Sequence, residues 1–424
     1  MGKKKRSPAG LQVLYRRVCG LDVHKKLVVA CVRILDPKDG TVQSTLRKFG
    51  TMTADLLELR QWLAEQRVSH VAMESTGVYW QPVFNVLEGQ FETWVVNAQH
   101  IKKVPGRKTD MKDAEWIAQL LQCGLVRPSF IPDRQQRELR DLTRNLTKLV
   151  QQRNSVDNRI QKVLETANIK LGSVASDVLG VSGRKMIEAL LAGEKDVTVL
   201  ADLAQRQLRG KIPELQRALQ GELTEHHRFL LRELLEQYDF VESKITILSE
   251  RVGAIAPPRF QAAVKQLDAI AGVAERGARA LLAETGTDMS RFPTHKHFAS
   301  WAGRCPGNHE SAGKRRSGKT PAANRHLDAV LTEIAHAAVR SKNSYFKAQY
   351  HRLAGRRGKK RAIGAVKHSL LVTIYFMLRD HKPYQDLGVD YFDKLNPQQR
   401  IRYHVRRLHE LGQEVQLSST AVAA

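Results

Sequence analysis

The chain has 424 residues, and its 69 lysine and arginine residues against 43 aspartate and glutamate residues give a net charge of +26. This length predicts two or three domains, and the positive charge favours a polyanionic partner. No apolar run approaches the roughly 18 residues that span a bilayer, and the N-terminus has no apolar signal segment, so a cytoplasmic protein without a membrane partner is expected.

The four cysteines, Cys19, Cys31, Cys123 and Cys305, are far apart in the sequence. Without a C-x-x-C pair they indicate neither a disulfide framework nor a zinc site. Any metal ion must therefore bind to oxygen ligands. The basic run at residues 3–6 is read as a disordered, solvated tail in preference to a nucleic-acid-binding arm.

The first predicted elements are strands. Residues 17–35 contain two β-rich runs separated by a polar turn, and a third strand is expected at residues 45–49, which together indicate a β-meander. Thr53 can cap a helix whose apolar positions Leu56, Leu59 and Leu63 share one face. Further strands are expected at residues 70–74 and 91–97 with a helix between them. Strands followed by alternating β and α units predict an α/β sheet covered by helices.

Four acidic residues follow a pattern along this first domain. Asp22 lies at the end of the first strand in GLDVHK, and Glu74 ends another apolar run in HVAMESTG. Ends of strands are where α/β sheets place their chemistry. Asp110 and Asp113 lie in KTDMKDAEWIAQLL, where a three-residue spacing on a helix puts both side chains on one face. The opposite side of this helix is expected to be packed, as indicated by Trp116, Ile117, Leu120 and Leu121.

Like charges at this spacing repel, so a cation between the carboxylates, or Lys108 and Lys112 beside them, must stabilise the pair. Carboxylate ligands suit Mg²⁺ or Mn²⁺, and two such ions can activate the attacking oxygen and neutralise the leaving oxygen of a phosphodiester. Each acid alone is more simply a surface group. The order of strand Asp, strand Glu and helical Asp-x-x-Asp is typical of ribonuclease-H-like nucleases of the Holliday-junction-resolvase type.

From residue 133 the sequence changes to long amphipathic helix. Two segments carry apolar residues at alternating three- and four-residue spacings, interrupted in the first by Arg153. Their apolar positions are Leu139, Leu142, Leu146, Leu149, Val156, Ile160 and Val163, and then Leu231, Leu234, Tyr238, Val241, Ile245, Leu248 and Val252. Such heptads predict a coiled coil, preferably one that dimerises the chain; the alternative is a pair of antiparallel helices within one bundle.

Two short helices are expected within residues 267–286, around Gly272 and Val273. Their arrangement is similar to a helix-hairpin-helix, whose turn amides commonly contact a phosphate backbone. Ala271 and Ala274 stand where that motif usually has Pro and Gly, so a plain pair of helices is at least as good an interpretation.

Four stretches together resemble the DEDD transposases of the insertion sequence 110 family. They are GLDVHK at residues 20–25, MESTGVYW at 73–80, VPGRKTDMKDAEWIAQLL at 104–121 and SWAGRCPGNHESAGKRRSGKT at 300–320. The resemblance extends from about Val18 to Phe392. It implies a resolvase-like N-terminal domain, a coiled-coil middle and a mainly helical C-terminal transposase domain. The expected divisions are a basic tail at 1–16, the catalytic domain at 17–132, the coiled coil at 133–260, the transposase domain at 261–392 and a tail at 393–424.

The same resemblance implies a serine nucleophile, which is Ser311 in NHESAGKRRSG, with Ser317 as the second candidate. It also implies a bridge noncoding RNA that selects donor and target DNA, and metal ions on the four acids that activate the serine. The predicted nucleic-acid-binding residues are Arg107, Lys108, Lys112, Lys314, Arg315, Arg316 and Lys319, for which a solvated basic loop is the plain alternative. A homo-oligomer, a dimer or tetramer, is expected.

Two residues depart from the family pattern after the serine. Ala323 and Asp328 stand where the family tends to have Gly and Arg, which predicts a weakened DNA contact there.

Two other kinds of protein share parts of this pattern. A metal-dependent junction nuclease would use water in place of Ser311, and a nonenzymatic RNA-binding scaffold would not need the four acids. Because all four acids are present, we favour an enzyme.

Overall fold

The computed structural model describes residues 12–75, 77–97, 101, 113–307, 309–318, 320–321 and 323–418, and the backbone of residues 3–6. Side chains are not described for residues 309, 311, 315 and 316. Contacts divide the chain into two compact units, Met1–Ile131 and Pro132–Ala424.

The first unit contains a six-stranded mixed sheet. Its strands are β1 (Lys3–Arg6), β2 (Arg17–Val23), β3 (Val28–Leu35), β4 (Thr41–Phe49), β5 (His70–Glu74) and β6 (Glu92–Val96), and its helices are α1 (Thr53–Glu65), α2 (Trp80–Leu87) and α3 (Asp113–Gln122). The sheet order is β1-β4-β3-β2-β5-β6. Antiparallel pairing of β2, β3 and β4 confirms the predicted meander, and β5 and β6 run parallel to β2.

Three local predictions in this unit were wrong. The run at residues 3–6 is strand β1, antiparallel to β4, and is no solvated tail; it uses backbone groups that an edge strand would otherwise leave unpaired. Strand β4 begins at Thr41, four residues earlier than expected. Helix α1 begins with Thr53 as its first helical residue, and the carboxylate of Asp55 accepts the Met52 amide at 3.2 Å in place of a threonine cap.

Helices cover both faces of the sheet. Apolar residues of α1 and α2, including the predicted Leu56, Leu59 and Leu63, form one buried cluster with the face that carries Leu21 and Met73. On the opposite face, α3 contributes a second cluster with the strands. The site described below therefore stands on a sheet that is fixed from both sides.

Within its described residues, the second unit is helical apart from one hairpin, β7 (His309–Ser311) and β8 (Lys314–Ser317). Its helices are α4 (Arg134–Thr166), α5 (Leu171–Val174), α6 (Val181–Ala192), α7 (Val197–Asp202), α8 (Ile212–Ala218), α9 (Glu225–Ile255), α10 (Pro258–Asp268), α11 (Glu275–Thr285), α12 (His295–Trp301), α13 (Arg325–Arg340), α14 (Tyr345–Arg357), α15 (Lys359–Asp380), α16 (Tyr391–Leu395) and α17 (Pro397–Glu410).

The two heptad segments are α4 and α9, and they pack against each other within one chain. The side-chain amide of Gln135 donates to the Ile255 carbonyl at 3.1 Å, whereas near the other end Arg159 donates to Gln237 at 2.7 Å. These contacts define an antiparallel pair, the alternative to the favoured dimer. Arg153, which interrupts the apolar pattern, forms an ion pair with Glu242 at 3.0 Å across the two helices.

Helix α15 lies at the centre of the C-terminal core, with Leu370, Leu371 and Ile374 fully buried. By length and composition it is apolar enough to cross a membrane, the one such helix within the described part of the chain. More than half of its most apolar stretch is buried in the protein. Its hydrophobicity is that of a core helix.

Helix α11 confirms the predicted helix after Gly272, whereas the helix before it, α10, begins nine residues earlier than the expected range and ends at Asp268. The Gly272 backbone has φ +88°, and a Cβ there would lie 2.3 Å from the Ala338 amide nitrogen of α13. The amides of Ile270 and Val273 donate to carbonyls within the turn, at 3.0 and 2.9 Å. The turn is therefore packed against α13, and two of its amides already donate hydrogen bonds within the protein.

Candidate active site

Two of the predicted acids lie at the ends of neighbouring parallel strands, Asp22 as the last residue but one of β2 and Glu74 as the last of β5. Gly20 of β2 pairs with Ala72 of β5, and two residues further along each strand stand Asp22 and Glu74. Because side chains alternate between the faces of a strand, all four residues share one face. The two carboxylates thus occupy adjacent positions at the carboxyl edge of the sheet.

Helix α3 packs directly on this face because β2 has a glycine there. A Cβ on Gly20 would lie 2.3 Å from the Ala114 carbonyl oxygen and 2.4 Å from the Ala118 amide nitrogen. No real Cβ tolerates such distances, so only glycine permits this approach.

The direction of α3 brings its first residue toward the acids. At its last residue, the Gln122 carbonyl accepts the Leu14 amide at 2.9 Å, just before β2 begins. The helix therefore runs antiparallel to β2, and Asp113, its first residue, lies at the end of the helix nearer the Asp22 edge. The predicted buried side of this helix is confirmed, since Trp116 and Ile117 are buried in the core.

Asp22 is partly accessible and contacts His24, a residue to which the sequence pattern gave no role. The Nε2 atom of His24 lies 3.1 Å from Asp22 Oδ2, and the Asp22 side chain is 27% exposed. His24 is visible in the GLDVHK motif, but the two-residue spacing alone did not indicate the contact. Within the described ranges no cluster of three or more His, Cys, Asp or Glu side chains could hold a metal ion.

The predicted nucleophile lies at the tip of the hairpin. Ser311 is the last residue of β7 and pairs with Lys314, the first of β8. The two residues between them, Ala312 and Gly313, have φ values of +52° and +72°, as a two-residue type I′ turn requires. Ser317 pairs with His309 at the other end of the hairpin, so the two candidate serines are separated by the length of β8.

The chain segments before and after the hairpin meet closely. Gly303 has φ +64°, and a Cβ there would lie 2.4 Å from the Cβ of Ala323 and 3.0 Å from the Pro321 carbonyl oxygen. The methyl group of Ala323, one of the departures from the family pattern, therefore fits because residue 303 has none. This contact closes the base of the hairpin.

A buried glutamate connects the segment after the hairpin to α4. Glu284 is 2% exposed, and Arg144 donates to it through Nε and Nη2 at 2.6 and 2.9 Å. Asn324, which caps α13 through the His326 amide, donates its own amide to Glu284 at 2.5 Å. Burial, and then the charge of Arg144, lower the pKa of His326.

Asp328, the other departure, has partners inside the protein. It accepts from the buried Lys367 at 2.8 Å and lies 3.2 Å from Arg304, which precedes the hairpin. A negative charge here is thus balanced by two cations. The Arg304 Nε atom is buried and has no hydrogen-bond partner among the described residues.

The remaining predicted residues fall into two groups. Lys314 is exposed in β8, and the backbones of Arg315 and Arg316 follow it in the same strand. Outside the described residues lie Asp110, Arg107, Lys108, Lys112 and Lys319.

Comparisons with known proteins find two family matches along the chain. Residues 19–169 match a transposase family model of the DEDD IS110 type, and residues 264–351 match the model of the transposase IS116/IS110/IS902 family. A curated relative from Pseudomonas aeruginosa, named a probable family 20 transposase, is 26% identical over 276 residues, which are 64% of this chain and 71% of the relative. The chain therefore belongs to the IS110 family of transposases, enzymes that cut and rejoin DNA.

Proposed function

We propose that this transposase exchanges DNA strands through Ser311 as nucleophile, together with a divalent-metal site made by Asp22, Glu74, Asp110 and Asp113. The observation that carries the proposal is the carboxyl edge of the sheet, where Asp22 and Glu74 share a face with the helix that begins at Asp113. A resolvase-like, ribonuclease-H-like domain at residues 17–132 is part of the same proposal.

The donor chemistry of this edge fits the metal that the family requires. Membership in a DEDD transposase family implies dependence on a divalent metal, and carboxylate oxygens are the ligands that Mg²⁺ or Mn²⁺ prefers. When bound, such ions polarise the scissile phosphate and offset the charge that develops on the oxygens. Asp22 remains partly accessible, so a phosphate can reach it.

Ser311 suits a nucleophile because its backbone immediately precedes the tight turn at the tip of the hairpin. In the step proposed, a bond forms between the serine Oγ and phosphorus while the bond from phosphorus to the sugar oxygen breaks. The hydroxyl proton passes to a base and the sugar oxygen gains a proton. The resulting phosphoserine diester retains the energy needed for rejoining. The basic residues Lys314, Arg315, Arg316 and Lys319 follow the serine and would offset the charge of the phosphate.

The proposed partners are donor DNA, target DNA and a bridge RNA, with the protein acting in the cytoplasm as a dimer or tetramer. A net charge of +26 supports contact with many phosphates. The remaining proposed regions are a helical coiled-coil region at 133–260, a transposase domain at 261–392 and a tail at 393–424.

Trapping of a covalent intermediate tests the nucleophile. Wild type incubated with bridge RNA, donor DNA and Mg²⁺ should yield a protein–DNA adduct that survives denaturation. The adduct should be absent from Ser311→Ala and present in Ser317→Ala, the matched control at the other end of β8. An adduct that depends on Ser317 instead would identify that residue as nucleophile, and DNA cutting by wild type without any adduct would favour a junction nuclease that uses water.

A further inference from the structure

A groove lies between α14 and the C-terminal helices α16 and α17, with a volume of about 920 Å³. One wall is formed by α14 and the other by residues that follow Val389, well beyond the second family match at residues 264–351.

Positive charge dominates this groove. Lys347, Arg352, Arg356 and Arg400 face a single carboxylate, Asp393, which forms an ion pair with Arg400 at 2.6 Å. Such an excess of cations on the two walls favours a polyanion as occupant.

Aromatic rings stand between these cations. The Arg352 guanidinium lies 5.0 Å from the centre of the Phe392 ring, and that of Arg400 lies 5.9 Å from the centre of the Tyr403 ring. Phe392 also stacks with Tyr345 of α14, with 5.4 Å between the ring centres, and this contact holds α16 against α14. The Arg406 guanidinium also lies 5.9 Å from the centre of the Tyr403 ring, but Tyr403 is 45% exposed, so part of its ring is open to a stacking partner.

Packing of the protein core does not account for α17. None of its residues is buried, and it carries Arg400, Arg402, Arg406 and Arg407 against one acid, Glu410. A helix of 14 residues that buries no apolar face gains little stability from folding. Its composition is better explained by an external polyanionic ligand.

We propose that this groove binds a single-stranded segment of the DNA substrate, with phosphates against the four cations and a base stacked on Tyr403. Cations that alternate with aromatic rings are typical of surfaces for single strands, whose bases are free to stack on protein. In a duplex the base faces are covered by neighbouring pairs. The proposal depends on the transposase activity alone and is independent of the nucleophile and the four acids.

Fluorescence anisotropy on the full-length protein tests the groove, with labelled 15-nucleotide oligothymidine as probe. The triple variant Arg352→Gln, Arg356→Gln and Arg400→Gln should weaken binding roughly tenfold or more and reduce the slope of log affinity against log salt by about 2. A triple control of exposed arginines elsewhere, Arg134→Gln, Arg209→Gln and Arg232→Gln, removes the same charge and should change affinity much less.

The stacking contact has its own pair of variants. Tyr403→Leu should weaken oligothymidine binding roughly fivefold, whereas Tyr403→Phe should retain it. Thermal unfolding should be unchanged in the two Tyr403 variants, since α17 contributes no buried residue, and the same measurement shows whether the two triple variants remain folded.

Four results would overturn the proposal. The two triple variants could bind oligothymidine with the same affinity. The groove variant could also lose more affinity for a labelled duplex of equal length than for oligothymidine. Oligouridine could be lost while oligothymidine is retained, which would assign the groove to RNA. A change from oligomer to monomer by light scattering, without loss of oligothymidine binding, would assign it to a second copy of the chain.

Discussion

The carboxylate edge and the serine hairpin are built on different principles. Asp22 and Glu74 extend from central strands of a six-stranded sheet, with buried clusters on both faces. The hairpin β7–β8 consists of two short strands, and none of its described side chains belongs to the hydrophobic core of the second unit. Its position depends on the contacts at its base, where Gly303 packs against Ala323 and Asn324 donates a hydrogen bond to the buried Glu284.

This difference predicts how each region responds to mutation. A sheet edge can lose a carboxylate without losing its shape, because the backbone ladder and the apolar clusters hold it. A hairpin without a core is held by a few polar and close steric contacts, so replacement of a distant side chain can displace it. Mutations at the sheet edge should therefore reduce cleavage without loss of stability, whereas mutations at the base of the hairpin should reduce both.

The largest effect should come from charge removal at the sheet edge. Asp22→Asn and Glu74→Gln keep side-chain size and should each reduce strand cleavage by at least about 100-fold, since metal binding supplies several kcal/mol to such a transition state. DNA binding and thermal stability should be retained. Glu92→Gln, an exposed acid at the opposite edge of the same sheet, is the control. Near-normal cleavage by either variant would remove that residue from the site.

A large loss of stability should follow from Glu284→Ala. The substitution leaves Arg144 and the neighbouring Arg140 without their buried counter-charge, which typically costs about 3–5 kcal/mol. Urea unfolding measures this loss. The matched control is Glu333→Ala on α13, which breaks the exposed ion pair with Arg276 of α11 and should cost roughly 0–1 kcal/mol. Equal losses in the two variants would mean that Glu284 does not anchor the hairpin base.

A smaller loss is expected where α3 packs on the sheet. Gly20→Ala places a Cβ against the backbone of Ala114 and Ala118, and such overpacking costs roughly 1–3 kcal/mol. Because α3 begins at Asp113, cleavage should fall as well. Gly364→Ala in α15 has no atom within 4 Å of the added Cβ and should be neutral or stabilising. Unchanged stability and cleavage in Gly20→Ala would contradict the close approach of the helix.

The smallest effect tests the steric contact at the hairpin base. Gly303→Ala should destabilise the protein because its Cβ would meet that of Ala323 and because φ is +64°. Adding Ala323→Gly should restore about 1 kcal/mol by removing one of the two methyl groups. A double-mutant cycle from urea unfolding gives the coupling free energy, and a coupling near zero would show that the two residues do not compete for space.

Much of the architecture could be predicted because it follows from local periodicity. The meander, the strand that ends at Glu74 and the buried side of α3 were all confirmed, since alternating or helical spacing of apolar residues reports which face is covered. The hydrophobic pattern also predicted α4 and α9 correctly as helices. It could not distinguish pairing within one chain from pairing between chains, because an apolar stripe has the same composition in both cases.

By itself, the sequence determined the order of strand Asp, strand Glu and helical Asp, the serine in its basic loop and the two long amphipathic helices. Only the tertiary structure decided that residues 3–6 join the sheet and that Gly20 allows the backbone of α3 to approach β2. It also decided that Glu284 links Arg144 to Asn324, two residues that are 180 positions apart in the sequence. These contacts join residues far apart in sequence. Local spacing carries no information about them, because their energies arise from burial and charge pairing that exist only once the chain has folded.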